Sequence, residues 1–550
     1  MTCGLDYHLF SGQQCEHEPP FLKSTSTWSG DGSHTLVTSP AWKAQKEIAA
    51  KEGLVAIGYE KKIHQFSRYC CIAATSFFTS RIIHLHRVYQ AVKLMLYAPA
   101  SGLYSCPLAM TDGAAKTLLN SDQTLPEVSE AFERLTSRDP QKFWTSGQWM
   151  TEQRGGSDVH KGTETIATPI EDKPGWFTLN GKKWFSSATD SDMSLLLARK
   201  SLDESLSMFF LRTRDPESNE LNGIRIAKLK NKLGTRQLPT AELVLNGAKA
   251  RLLSEEGRGI AKISSMLGIT RLHNIISSVG YQRKMTSLAL DYSTRRVAFG
   301  KKIAHHPLHL KTLAEMKVEA RGNTVLMLDL ARQQGLEDYG NIGDVDKLLL
   351  RLMMPVAKLY TAKKAVAIAS EGIECFGGQG YIEETGIPGM LRDAQVLPIW
   401  EGTSNVMALD VLRAMAKTKG EALRAFKNRV SNILQLAGKS NDPAITTALQ
   451  FVKSALYGLI DFTSQNQSEV SVMEMAGRDF AFSLAHIYVG SLLMEHALAT
   501  GNDLDAITAR QWIISRDMCP VVTNQKANAY RLQREGNHIR ELAFEGYSNL

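Results

Sequence analysis

The spacing of apolar side chains changes period twice along this chain. From Ala41 to about Ser137 the pattern is mostly helical. Segments such as Ile82–Val88 and Ala91–Leu96 are apolar on one side. Leu103–Leu119 reads as a buried helix entered through Ser105-Cys106-Pro107. Around residue 145 short runs of β-favouring residues take over. Trp176–Leu179 and Lys182–Phe185 flank Asn180-Gly181, which predicts a hairpin with Asn-Gly at its turn. Met193–Ala198 and Met208–Arg212 are strand-like, and Ala241–Leu245 precedes a second Asn-Gly pair. From Gly257 helical spacing returns through Leu267, Leu272, Ile275, Ile276, Val279, Met285 and Leu288. Long helices follow from about His309 to Gln334, from Leu348 to Cys375 and from Ser404 to Lys419. The last 130 or so residues are again helical, broken near Asn441-Asp442-Pro443 and Thr500-Gly501-Asn502-Asp503.

This order predicts an α+β multidomain fold. An N-terminal segment and helical domain (1–144) precedes a β-barrel-like domain (145–250). A four-helix bundle (251–420) and an extra C-terminal helical domain (421–550) follow. Residues 1–40, rich in Ser, Thr, Gly and Pro, are expected to run over the surface.

Composition narrows the function classes. No apolar run of about 18 residues is present, so no transmembrane helix is expected. The seven cysteines are scattered, with no metal-ligand or disulfide spacing, which fits a reducing compartment and no metal. The N-terminus carries Asp6, Glu16 and Glu18, unlike a mitochondrial transit peptide. Ser548-Asn549-Leu550 only loosely matches a peroxisomal Ser-Lys-Leu address. A cytoplasmic location is the expectation, with mitochondrial and peroxisomal ones as alternatives. The formal charge is +8. Residues 221–330 hold 19 Lys and Arg against 7 Asp and Glu, whereas residues 421–550 hold 12 against 13. A nucleic-acid-binding C-terminal domain would need clustered cations, so this balance argues against one unless Arg531, Arg534 and Arg540 share a helix face.

Five segments carry candidate chemistry, and each has a plain alternative. Trp149–Val159 places Gly155-Gly156 beside Ser157 and Asp158. Paired glycines allow positive φ and close approach to a polar ring or phosphate, although a strand-to-turn junction has the same make-up. Gly181–Ser187 sets Trp184 beside small hydroxyls, as a ring wall or as a core aromatic. Arg295–Lys301 joins arginine to Phe299, suited to a pyrophosphate and an aromatic base, or simply cations at a helix C-terminus. Glu374–Tyr381 has more glycines than one helix cap needs. In Ile399–Asn405, Glu401 follows an apolar approach that could raise its pKa to suit a general base. It could also be a helix-entry residue before the N-cap residues Thr403 and Ser404. No Rossmann or Walker phosphate motif occupies a strand–helix junction, which excludes the common nicotinamide and P-loop enzymes.

Taken together and in this order, these segments resemble the acyl-CoA dehydrogenase family of flavoproteins over about residues 70–420. The AidB-like branch is favoured by Trp149–Glu152, Cys106–Thr111 and Trp400–Arg413. The resemblance implies FAD, with Met150, Thr151, Gly156 and Ser157 lining the flavin, Trp184 covering it and Ser186 nearby. It implies that Arg296, Phe299, Glu374, Gly377 and Gly378 reach a neighbouring subunit's FAD, with Thr403 and Asn405 at the pyrophosphate. A homotetramer built as a dimer of dimers follows from such sharing. The implied reaction is α,β-dehydrogenation of a medium, long or unusual acyl-CoA. Glu401 would be the base, Ser157, Arg271 and Gly402 would contact substrate, and an electron-accepting flavoprotein would take the electrons. Two alternatives remain: an acyl-CoA-sequestering flavoprotein with little turnover, and an AidB-like nucleic-acid-binding one. Gln153-Arg154 in place of the usual Pro-Gly, Pro307 and Glu374 in place of glutamines, and Gly268 depart from the family pattern.

Overall fold

A computed structural model describes residues 12, 14–25, 33–60, 85–527, 530 and 538–545. The chain divides into two compact units. One comprises 1–281 with 381–396, and the other 282–380 with 397–550.

In the first unit, helices α1 (Pro40–Lys51), α2 (His86–Tyr97), α3 (Ser105–Leu119) and α4 (Pro126–Leu135) precede the strands. Ile82 and Ile83 lie outside the described residues. Burial on nearly every side of α3 explains why most of its residues are small or apolar. Asp112 on α3 is buried and accepts bonds from Arg87 Nη1 of α2 (2.7 Å) and Tyr59 Oη (2.7 Å). It also meets His273 Nε2 at 2.8 Å. A buried carboxylate is tolerable only when saturated in this way.

The N-terminal stretch departs from expectation. Phe21–Thr25 (β1) and Ser33–Val37 (β2) pair antiparallel, and Cys15 is buried. Apolar side chains at Leu22 and Leu36 alternate onto the β-domain core, which overrides a loop-like composition.

The β domain is one seven-stranded sheet: β3 (Ser146–Gln148), β4 (Ile166–Pro169), β5 (Trp176–Ser187), β6 (Met193–Ala198), β7 (Ser207–Arg212), β8 (Ile224–Leu229) and β9 (Thr240–Leu252). The order is β3-β6-β7-β9-β5-β4, with β8 on β9. A bridge from Ile166 to Arg199 returns β4 to the end of β6, which gives the barrel-like character. Its core gathers Trp149, Phe177, Leu179, Leu196, Phe209, Leu211 and Leu243.

Asn180-Gly181 does not make the hairpin turn expected, and the second Asn-Gly pair also lies within a strand. Asn180-Gly181 continues within β5 and Asn246-Gly247 within β9, where Asn180 and Asn246 face each other across an irregular register. Asn180 Oδ1 accepts a bond from the Gly247 N–H at 2.9 Å, and Gly247 takes φ +72°. A Cβ on Gly181 would lie 2.5 Å from Thr165 Oγ1. The glycines thus serve a bulge and a close strand approach, which the local sequence does not distinguish from a turn.

One buried ion pair ties the Trp149–Val159 loop to β5. Lys183 Nζ lies 2.6 Å from Glu152 Oε1 and also donates to the Leu197 carbonyl at 2.9 Å. Glu152 further accepts from Glu164 N (2.7 Å), Thr165 N (3.3 Å) and Thr165 Oγ1 (2.5 Å). Burial pulls the Lys183 ammonium below its usual pKa, against the hold of Glu152.

The long helix α5 (Gly259–Arg295) leads into the second unit. That unit holds α6 (Pro307–Asp338), α7 (Asp344–Cys375), α9 (Ser404–Lys417), α10 (Glu421–Ala437), α11 (Pro443–Asn466), α12 (Gly477–Thr500) and α13 (Asp503–Ile514), while α8 (Ile387–Ala394) belongs to the first. The breaks expected before residues 443 and 503 are present. Asp442 caps α11 through Ala444 N at 2.7 Å. Gly501 (φ +62°) ends α12, and Asn502 caps α13.

The C-terminal helices are keyed into the bundle. A Cβ on Gly322 of α6 would lie 2.2 Å from the Trp512 ring of α13, so only glycine admits that ring. The Arg516 guanidinium stacks on Trp512 at 3.5 Å and donates to Glu319 Oε2 and Tyr360 Oη, both at 2.9 Å. Burial, with Arg516 nearby, pushes His486 of α12 down to about 4. Among the described residues, no helix is long and apolar enough to cross a membrane.

Two outcomes follow. Lys183→Met leaves a buried carboxylate without its cation and is expected to destabilise by about 3–5 kcal/mol in denaturant titration, with Glu152→Gln added to it recovering much of the loss. A loss below about 1 kcal/mol in the single variant would refute this. His486 binds its proton less readily folded than unfolded. Its contribution is therefore intact above about pH 6.5 and is lost as pH falls towards 4, by up to about 3 kcal/mol. Urea unfolding from pH 7 to 4 should show this slope, and His486→Gln should flatten it.

Candidate functional site

In the first unit, β3 delivers the chain to Trp149, which is buried and donates through Nε1 to the Ser187 carbonyl at 3.0 Å. Trp149 is therefore a core residue. Thr151 accepts at its carbonyl from Trp184 N at 2.9 Å, so two of the predicted segments meet here. Met150, Thr151 and Trp184 are half-buried, and Lys230 Nζ lies 3.3 Å from the Trp184 ring centre.

The glycine pair does not act as expected. Neither Gly155 nor Gly156 takes positive φ. Gly155 is consumed by packing, with a Cβ there 2.8 Å from Gly162. At Gly156 a Cβ would meet nothing, and Gly156 and Ser157 are exposed. The unusual Arg154 pairs with Glu164 at 3.4 Å on the surface.

Two buried polar atoms close to these segments in sequence have no hydrogen-bond partner, Ser186 Oγ and Gln148 Oε1. Buried polar atoms are almost always bonded. One donor-acceptor and one acceptor beside an aromatic wall suit the edge of a heteroaromatic ring such as flavin, so the residues present fit FAD. Gln148 escaped the sequence reading. Its only signal was a polar residue ending a strand just before a buried tryptophan. Arg271 is half-buried on α5.

In the second unit, α5 ends at Arg295 and a two-residue hairpin follows, Val297-Ala298 against Lys301-Lys302. Phe299 and Gly300 form its turn with φ +49° and +77°. The ring of Phe299 is 96% exposed, and Arg296 is exposed beside it in sequence. Such an aromatic, held out on a rigid turn, marks an interaction surface.

Three glycines follow Glu374, and they have different reasons. Gly377 (φ +58°) takes the left-handed position after α7. Gly380 approaches the Ile373 carbonyl, where a Cβ would sit at 2.2 Å. Gly377 and Gly378 both face open space, with Glu374 exposed nearby in sequence.

Glu401 is half-buried and takes φ +57°, and Gly402 takes φ +109°. A Cβ on Gly402 would lie 2.4 Å from Met407 Cε. Thr403 caps α9, accepting from Val406 N at 3.5 Å, as the plainer reading expected. Two residues that sequence reasoning missed reach this segment. Lys358 Nζ donates to the Gly402 carbonyl at 2.5 Å, and Arg478 Nε of α12 donates to Asn405 Oδ1 at 2.6 Å. A lone lysine inside the apolar run Met353–Tyr360 was the available signal for the first.

Among the described residues no group of three or more His, Cys, Asp and Glu could hold a metal ion. Arg531 and Arg534 lie outside the described residues, and Arg540 is exposed on a short helix, His538–Ala543.

The chain was compared with known proteins. Residues 147–248 match the acyl-CoA dehydrogenase middle domain, 257–416 its C-terminal domain, and 421–539 the acyl-CoA dehydrogenase 11 C-terminal domain-like family. Acyl-CoA dehydrogenase family member 11 of Caenorhabditis elegans is 46% identical over 502 residues, 88% of this chain and 77% of the relative. The Escherichia coli putative acyl-CoA dehydrogenase AidB is 35% identical over 341 residues, 60% of this chain and 61% of the relative. The crystal structure of the Caenorhabditis elegans protein, solved in complex with C11-CoA, aligns with a TM-score of 0.88 at 42% identity, covering 99% of this chain and 90% of that one. A Bacillus anthracis acyl-CoA dehydrogenase complexed with FAD shares the fold, with a TM-score of 0.64 at 16% identity over 92% of this chain and 94% of that one. With its middle β domain, helical bundle and keyed C-terminal helices, the chain belongs to the acyl-CoA dehydrogenase family of FAD-dependent oxidoreductases, in the branch that includes AidB.

Proposed function

We propose that this protein catalyses α,β-dehydrogenation of a medium- to long-chain acyl-CoA with Glu401 as the base. The observation that carries this reading is the turn at Glu401. A carboxylate residue occupies a left-handed backbone conformation beside a glycine whose φ of +109° would strain any other residue. Backbone held this way persists where the surrounding structure over-determines it, and such positions cluster at active sites. The relative solved with C11-CoA supports the chain-length class.

FAD would be bound by Met150, Thr151, Gly156, Ser157, Trp184 and Ser186 in the first unit, with Thr403 and Asn405 the candidates for its pyrophosphate, and it would supply a two-electron acceptor for the β-hydrogen. Glu401 removes the α-proton as the Cα–H bond breaks, and the electron pair left behind becomes the new Cα=Cβ bond as hydride departs. The Glu401 backbone N–H donates to the thioester oxygen, which lowers the cost of charge developing there. Arg271, Ser157 and Gly402 orient the CoA-bearing arm. The exposed Arg296 and Phe299, with Glu374, Gly377 and Gly378, would reach the cofactor of a second copy in a dimer of dimers, and a flavoprotein acceptor would take the electrons. The segments 1–144, 145–250, 251–420 and 421–550 are its four domains.

Anaerobic mixing with acyl-CoAs of graded chain length tests this. Flavin absorbance should bleach fastest for medium to long chains. Glu401→Gln should slow bleaching by about 10²–10⁴-fold while leaving acyl-CoA affinity within a few-fold. Tight binding without bleaching at every chain length would overturn the dehydrogenase reading in favour of sequestration.

A further inference from the structure

We infer that Lys358 is the positioning residue that holds the Glu401 turn in its reactive geometry. The inference rests on Glu401 being the base. Lys358 stands in the middle of α7, three residues after the internal Pro355, and is fully buried. Its neighbours along the helix, Met354, Val356, Ala357, Leu359 and Tyr360, are buried too. An apolar residue would fill this space without the penalty of taking an ammonium out of water. The ammonium is instead aimed at one carbonyl of the functional segment, Gly402 O at 2.5 Å. That is the short, strong geometry of a charge-assisted bond.

The place of the bond explains its use. Glu401 and Gly402 carry two successive positive φ angles, +57° and +109°. A non-glycine residue there tends to relax towards the right-handed region unless its flanks are fixed. On the C-terminal side the flank is fixed by Thr403, whose hydroxyl caps α9. Lys358 fixes the peptide plane between Gly402 and Thr403 from the other side. Without it that plane is free to rotate, and the Glu401 carboxylate moves with it. Displacement of a reacting group by about 1 Å can lower a rate about 10²-fold.

Two substitutions in the FAD-loaded protein test the role. Lys358→Met removes the donor and keeps the apolar stem. Lys358→Gln keeps a shorter donor and removes the charge. Three quantities are read: bound FAD per chain, acyl-CoA dissociation constant by calorimetry, and the limiting rate of anaerobic flavin bleaching. Lys358→Met is expected to retain FAD and to keep acyl-CoA affinity within about threefold, while the limiting rate falls about 30- to 100-fold. Lys358→Gln is expected to recover about tenfold of that loss. A wild-type limiting rate in Lys358→Met overturns the inference. So does a parallel loss of FAD, affinity and rate in both variants, which would mark a purely structural lysine. Glu401→Gln is run alongside. If it alone loses the rate, the base stands and only the positioning role falls. If it bleaches at the wild-type rate, the base reading falls and the role given to Lys358 falls with it.

Discussion

In the first unit the candidate flavin-binding segments depend on one buried ion pair. Glu152 and Lys183 come from the segments Trp149–Val159 and Gly181–Ser187, and both are buried. Their bond joins the loop after β3 to the strand that carries Trp184 and Ser186. Thr165 Oγ1 and two backbone N–H groups take up the remaining capacity of the carboxylate. The backbone bond from Trp184 N to Thr151 O lies one residue from each member of the pair. Two residues placed beyond solvent therefore set where the exposed Gly156 and Ser157 begin.

In the second unit the same logic appears with different chemistry. Lys358 and Arg351 of α7, and Arg516 just after α13, each bring a cation to a fixed acceptor on another segment: the Gly402 carbonyl, Asp410 and Glu319. Apolar packing makes the bundle, but it is tolerant of small slides between helices. Directional bonds from cations remove that freedom, and the buried Lys358 does so at a desolvation penalty that an apolar residue would not incur. The segment Glu401–Asn405 is held at both ends by such bonds, from Lys358 and from Arg478.

Much of the fold was legible because it follows from periodicity. Helices α3, α5, α6, α7 and α9 begin and end within a few residues of where apolar spacing and caps place them. The failures were of another kind. Asn180-Gly181 and Asn246-Gly247 carry turn chemistry, yet they pair with each other inside a sheet, a fact of tertiary register that no window of sequence contains. Gly155 reads as a ligand contact and is used against Gly162. Residues 14–25 and 33–37 look like surface chain and bury Cys15 and pair two strands. Among the candidate site residues, Glu401, Trp184 and Phe299 stand out by type, because each is odd for its surroundings. Lys358 and Arg478 do not, because their bonds reach partners 44 and 73 positions away in the chain, and Gln148 does not, because what marks it is a buried Oε1 without a hydrogen-bond partner.

Gly322 and Trp512 have a consequence for truncation. The notch in α6 admits a ring that lies 190 residues further on. Glycine within a helix is a liability, and here it is offset by the ring it receives. Cutting the chain after α9 would keep that liability and remove its compensation, leaving an open groove on α6. The bundle and its C-terminal helices are therefore one cooperative piece rather than a core with a detachable appendage.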